Sequence, residues 1–177
     1  MKQILFAMPL LAAVSPVFAA PTYLTCKDTT HTETTRTTSD RSDEVETESN
    51  PGVYKIFLNL DQNQATVDGV SGYRLEVEPT VITISRTTSE DKPEDSRGNR
   101  TSRVANEKFS LNRATLLYDR VSSSLYQSTT DNRKAFRTSL LIMKQAGIPF
   151  FSKFDIDRKA KSTGSCVKAL PPANNQI

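Results

Sequence analysis

Alternation of apolar and polar residues is the first regularity along this chain. Val53 to Leu60 (VYKIFLNL) puts Tyr54, Ile56, Leu58 and Leu60 on one face and Lys55 and Asn59 on the other, the period of a half-buried strand. Tyr73 to Glu78 (YRLEVE) alternates without an error, Tyr73, Leu75 and Val77 against Arg74, Glu76 and Glu78. Thr22–Lys27, Ala65–Asp68, Thr80–Arg86 and Glu107–Arg113 read as further strands, the last with Phe109 and Leu111 on one face. Leu116–Tyr118 and Val121–Gln127 add two more. Asn50-Pro51-Gly52, the four residues Asp61–Gln64, and Gly69 with Gly72 supply turn chemistry between them. The expected fold is mainly β, a small antiparallel sheet that is curled or barrel-like.

Two stretches fall outside this pattern. Residues 28–50 and 87–106 are rich in Thr, Ser and charge, have little to bury, and read as long polar loops, either hairpin extensions or mobile segments. The C-terminal third changes period. Asp131 or Asn132 can cap a helix spanning 131–147, with Phe136, Leu140 and Met143 as its buried stripe, Gly147 past its end and Pro149 as a stop. Residues 171–177 read as a tail.

The N-terminus predicts export. Lys2 precedes the apolar run Ile4–Val14, and Val17-Phe18-Ala19 offers small side chains at −3 and −1, so 1–19 reads as a signal peptide cut after Ala19. The run is shorter than the roughly 20 residues that span a bilayer. The mature chain, 20–177, is then a single β-rich domain in the periplasm or outside the cell, with no later apolar segment of membrane length. In that setting Cys26 and Cys166 are most simply one disulfide joining the first strand to the last. The alternative, a reactive or metal-binding thiol, finds no C-x-x-C motif and no second histidine beside His31.

Several of these residues form a pattern. Tyr23-Leu24-Thr25-Cys26-Lys27, Leu60-Asp61 with Thr66-Val67, Phe109-Ser110-Leu111-Asn112-Arg113-x-Thr115, and Gly164-Ser165-Cys166 together resemble short exported bacterial β-rich proteins of unassigned function. In those chains Asn-Arg is usually followed by Thr-Gly; here Leu116 stands where the glycine would be. The resemblance implies export, a disulfide and a β fold, and no activity.

Chemistry is sparse. His31 lies in a polar stretch and reads as solvated, so no Ser-His-Asp arrangement is expected. Ser165-Cys166-Val167-Lys168 matches S-x-x-K by letter only. Asp61-x-Asn63 and Asp155-x-Asp157 lack the glycine and glutamate of a calcium loop. No catalytic residue, metal ligand or cofactor site is expected, and the chain reads as a non-enzyme.

Charge is nearly balanced, a formal +3 for the whole chain, yet unevenly spread. Residues 28–50 hold seven acids against Arg36 and Arg41, whereas 131–161 hold eight cations against three acids. Arg133, Lys134, Arg137, Arg158, Lys159 and Lys161 are therefore the candidate contacts for a polyanion, an anionic envelope or extracellular surface rather than nucleic acid. The functional expectation is a non-catalytic interaction or structural module of the cell envelope or exterior. The alternative is a small-ligand carrier whose apolar cavity is lined by residues such as Tyr54, Ile56, Leu75 and Phe109.

Overall fold

The computed structural model describes residues 21–39, 41–136 and 140–171, with backbone alone at 41–42, 135–136 and 140. The expected signal peptide, the tail beyond Pro171 and Arg137 lie outside these residues.

Eight antiparallel strands, each paired to its neighbours in sequence, close into a barrel when the last returns to the first. They are β1 (Thr22–Thr38), β2 (Arg41–Asn59), β3 (Gln64–Val67), β4 (Val70–Val77), β5 (Val81–Lys92), β6 (Asn99–Asn112), β7 (Leu117–Asp131) and β8 (Phe151–Ala169). The short helices α1 (Asn132–Phe136) and α2 (Leu140–Gln145) lie between β7 and β8. The mainly β, barrel-like expectation is what the chain adopts.

Period two sets the inward face. Leu24 and Cys26 of β1, Ile56 and Leu58 of β2, Ile82 and Ile84 of β5, and Phe109 and Leu111 of β6 fill the lower barrel. Each such side chain contributes about 1.5–3 kcal/mol by leaving water. Phe109, fully buried, sits among Tyr54, Tyr73 and Tyr118 at centroid distances of 6.0, 6.4 and 6.2 Å. Cys26 and Cys166 face one another in the β1–β8 register and are disulfide-bonded, so the covalent link lies on the strand seam that closes the barrel.

Asp68 (φ 50°) and Gly69 (φ 77°) form a two-residue hairpin turn between β3 and β4, and Gly72 (φ 84°) supplies the extra residue where that register shifts. These two strands are short, and their shortness shapes the barrel. β3 pairs with β2 over 56–59 and β4 with β5 over 82–85. Above those levels β2 pairs only with β1, and β5 only with β6. The upper half is thus a six-stranded trough with a slot between the β2 and β5 edges. Pro51, which has no N–H to donate, occupies β2 where that strand is an edge.

The structure corrects two expectations. Residues 28–50 and 87–106 are not mobile polar loops; of the two readings, the hairpin extension is what the chain adopts. They are the upper parts of β1–β2 and β5–β6, separated by residues 39–40 and by 93–98. β1, β6 and β7 have partners on both sides and the upper parts of β2 and β5 on one, so ladders hold these strands without an apolar face, and the edge amides of β2 and β5 are left to the slot. Nor does a helix fill 131–147: Asp131 ends β7, and among the described residues helix covers Asn132–Phe136 and Leu140–Gln145. The β7–β8 ladder runs to Asp131↔Phe151, and Asn132 N donates to Phe150 O at 2.9 Å, which pinches the ends of the excursion together. Five- and six-residue helical pieces result; Met143 is buried while Leu141 and Ile142 face solvent.

Outward positions are mixed. Lys27, His31 and Glu33 on β1, Thr87 and Ser89 on β5, Asn106 and Lys108 on β6, and Lys159, Lys161 and Thr163 on β8 are polar, while Val53, Val104, Leu117, Val121, Leu125 and Val167 are exposed apolar side chains on the same outer surface. No helix is long and apolar enough to cross a membrane.

Candidate binding cup

The barrel interior turns from apolar to polar at Asp28. This residue lies opposite Gly52 on β2 and Gly164 on β8, so no side chain crowds it from either neighbouring strand. Its Oδ2 accepts hydrogen bonds from Tyr118 Oη at 2.7 Å and Ser162 Oγ at 2.5 Å, and its Oδ1 one from Thr30 Oγ1 at 3.3 Å.

Glu107 is the second hub. Tyr73 Oη donates to its Oε2 at 2.5 Å, and Arg120 Nε donates to its Oε1 at 2.8 Å. Arg120 Nη1 also donates to Tyr54 Oη at 2.7 Å, and its guanidinium stands 4.6 Å from the Tyr54 ring centroid and 5.5 Å from that of Phe109. The three tyrosines therefore place their rings on the core and their hydroxyls in a polar layer above it. That layer spans the barrel and makes a floor.

The floor's titration follows from its geometry. Burial, reinforced by the hydrogen bond to Glu107 and the nearby carboxylate charge, pushes the Tyr73 phenol up to about 12. Burial first and Asp28 second raise Tyr118 as well. For Arg120 burial is the largest single influence and opposes the charge, yet the Glu107 carboxylate outweighs it and raises the guanidinium. Asp28 and Glu107 thus serve as acceptors within the floor, each holding several donors.

Above the floor lies a cavity of about 440 Å³. The hydroxyl side chains of Thr30, Thr32, Thr88, Ser122 and Ser124 line it, with four arginines, Arg86, Arg103, Arg120 and Arg158. Glu107 is the one acid among the described lining residues. Arg86 lies 5.7 Å from the Tyr73 ring centroid. The side chains of Arg103 and Arg158 have neither a hydrogen bond nor an ion pair among the described residues. A donor-rich, cationic interior of this kind is suited to holding an oxyanion, since guanidinium offers a planar fork of N–H donors.

Of the six candidate polyanion contacts, the five described ones do not share one face, and Arg137 lies outside the described residues. Arg158 projects into the cup. Lys159 and Lys161 sit on the outer wall, Lys159 paired with Asp157 at 3.1 Å. Arg133 is bound to Asp131 at 2.8 Å and stacks 4.7 Å over Phe151, and Lys134 pairs with Glu94 at the far end of the barrel. Of the residues expected to line an apolar cavity, Ile56, Leu75 and Phe109 instead fill a solid core, and Tyr54 belongs to the floor. The open space is polar because the apolar side chains occupy the fully closed half.

Sequence reasoning missed Arg86, Arg103, Arg120 and Glu107. A signal was present: continuing the Ile82-Ile84 alternation reaches Arg86 and Thr88, and counting back from Leu111 and Phe109 reaches Glu107, Ala105 and Arg103. Counting stopped where apolar residues stopped. Among the described residues no three His, Cys, Asp or Glu side chains converge as metal ligands would.

No protein-family model matches the chain, and no curated protein matches it. Two solved structures overlay on it weakly. Ail, the attachment invasion locus protein of Yersinia pestis, is 6% identical at a TM-score of 0.27, covering 81% of this chain and 98% of Ail. The secretin-domain β-barrel of InvG from the Salmonella SPI-1 injectisome is 9% identical at a TM-score of 0.21, covering 89% of this chain and 64% of that one. Overlays this loose carry no argument about function.

Proposed function

We propose that this protein is exported, loses residues 1–19, and acts as a non-catalytic binding module of the cell envelope or exterior, taking a ligand into the open half of its barrel. The cup carries this reading: a polar cavity above a solid core, with two inward arginine side chains that have no partner among the described residues. The disulfide across the closing seam supports an oxidising compartment. The carboxylates nearest the cavity are saturated by their neighbours, which suits holding a ligand better than transferring protons. The carrier idea thus survives with a polar cup in place of an apolar one.

Native mass spectrometry of the protein purified from its exporting host tests this. The expected species begins at Ala20, is two hydrogens light, and carries a dissociable small-molecule adduct. Ser124→Trp, which places an indole in the cup, should abolish the adduct. A cytosolic chain starting at Met1, or an adduct indifferent to Ser124→Trp, would overturn the reading.

A further inference from the structure

The cavity's charge can be followed further than its shape. Successive inward positions along the strands stack above the floor: Arg86 beside Glu107 in the β5–β6 register, Arg158 beside Ser124 in the β7–β8 register, and Arg103 beside Tyr126 in the β6–β7 register. Arg103 and Arg158 thereby flank β7 from its two sides, at neighbouring levels. Between them β7 presents the Ser122 and Ser124 hydroxyls.

The acids of the inward register are spent elsewhere. Glu107 is held by Arg120 and Tyr73. Glu46 is paired with Arg36 at 3.0 Å, Glu90 with Lys92 at 3.1 Å, and Glu48 accepts from Asn50 at 3.3 Å. These three and Glu44 lie at exposed upper positions of β2 and β5, along the slot, and none lines the cavity. The outcome is a slot edge of mostly paired acids beside a cationic interior. Four guanidinium groups against one neutralised carboxylate leave an unmet demand for negative charge, and several hydroxyl donors stand around it.

We infer that the cup is a site for a small multivalent oxyanion, phosphoryl- or carboxyl-bearing, clamped between Arg103 and Arg158 with Arg86 and the hydroxyls of Ser122 and Ser124 as further donors. This rests on the cup being a ligand site and adds the chemical class. A small anion fits the site better than an extended one, because the cavity lies within the usual 300–1,000 Å³ range of ligand pockets.

The test is calorimetric titration of the mature, oxidised chain with pyrophosphate and with citrate at low ionic strength. The expected result is one saturable site whose affinity falls as salt rises. Arg103→Gln with Arg158→Gln should weaken it at least tenfold, whereas Lys159→Gln with Lys161→Gln, on the outer wall, should leave it within twofold. The stronger probe assigns the source: pyrophosphate a phosphoryl group, citrate a carboxylate. No saturable binding of either probe, equal loss in the outer-wall variant, or no loss in the cup variant would each overturn the inference. If neither probe binds while the native adduct still disappears in Ser124→Trp, the cup remains a ligand site and the anion assignment alone falls.

Discussion

Tyr118 donates a 2.7 Å hydrogen bond to Asp28, ninety residues earlier in the chain and two strands away around the barrel. The strand between them, β8, contributes Gly164 at that level, and the absence of a side chain there lets ring and carboxylate meet. An added Cβ on Gly164 would overlap Lys27 O and come within 2.8 Å of Asp28 Cβ and Tyr118 Cε1. One on Gly52 would overlap Asp28 Oδ1 and lie 2.9 Å from Tyr54 Cε2.

Gly52→Ala and Gly164→Ala should therefore each destabilise the barrel by about 1–3 kcal/mol through overpacking. Urea unfolding followed by circular dichroism measures this. A change below about 0.5 kcal/mol for both would mean that the floor is not close-packed around Asp28.

Alkaline stability should report the floor. A Tyr73 phenol raised from an ordinary value of 10.0 to about 12 holds its proton in the fold where the unfolded chain releases it. Its stabilisation is complete below pH 10, falls as pH rises, and is lost by about pH 12. Tyr73→Phe should flatten part of that decline and cost about 1–3 kcal/mol near neutrality, because Glu107 loses a donor. Unfolding midpoints between pH 8 and 12 for the two proteins would decide it; parallel curves would remove Tyr73 from the account.

Leu116 occupies the left-handed region at φ 57° while its side chain packs against the core. Asn112 builds the turn around it, its Oδ1 accepting from Ala114 N at 3.0 Å and Thr115 N at 2.9 Å. Leu116 then passes the chain on, its carbonyl accepting from Cys166 N at 2.8 Å. A tight turn therefore forms without glycine, at a cost of roughly 1–2 kcal/mol for an L-residue in that conformation. Leu116→Gly should be about 1 kcal/mol more stable than Leu116→Ala, since both lose the packing and only one keeps the strain. Equal stabilities would show that the turn is unstrained.

Removing the disulfide by Cys26→Ala with Cys166→Ala should cost up to ~5 kcal/mol, the loop-entropy value for a link closing well over 100 residues. Hydrogen exchange should then rise first along β1 and β8 near Leu24 and Lys168, where the seam has lost its covalent tie. Exchange rising evenly around the barrel would argue against a seam-specific role.

Several of the residues behind the likeness to short exported β-rich proteins lie together in the fold. Tyr23–Lys27 and Gly164–Cys166 are the two sides of the closing seam, and Asn112–Thr115 is the turn whose far end reaches Cys166. Their proximity is a property of barrel closure, legible only once β8 is known to lie beside β1. The scattered basic residues show the converse. Residues 131–161 look like one cationic patch in sequence, yet strand alternation turns Arg158 inward and Lys159 and Lys161 outward, and the pinched excursion carries Arg133 and Lys134 to the far end.

By itself, the sequence determined what depends on neighbours a few positions away. Period-two apolar faces decide which side of each lower strand is buried, because a strand with one oily face has no other stable orientation in a folded chain. They also decide the β class and most turns, and two cysteines leave one intramolecular pairing. Tertiary structure alone decided what depends on distant partners. The Thr- and Ser-rich upper strands carry little apolar pattern of their own and exist because ladders satisfy their backbones. The floor joins Ser162 to Asp28 across 134 residues. Arg103 and Arg158 come to share a cavity because closure wraps their inward faces around one axis, and no local rule of sequence encodes that encounter.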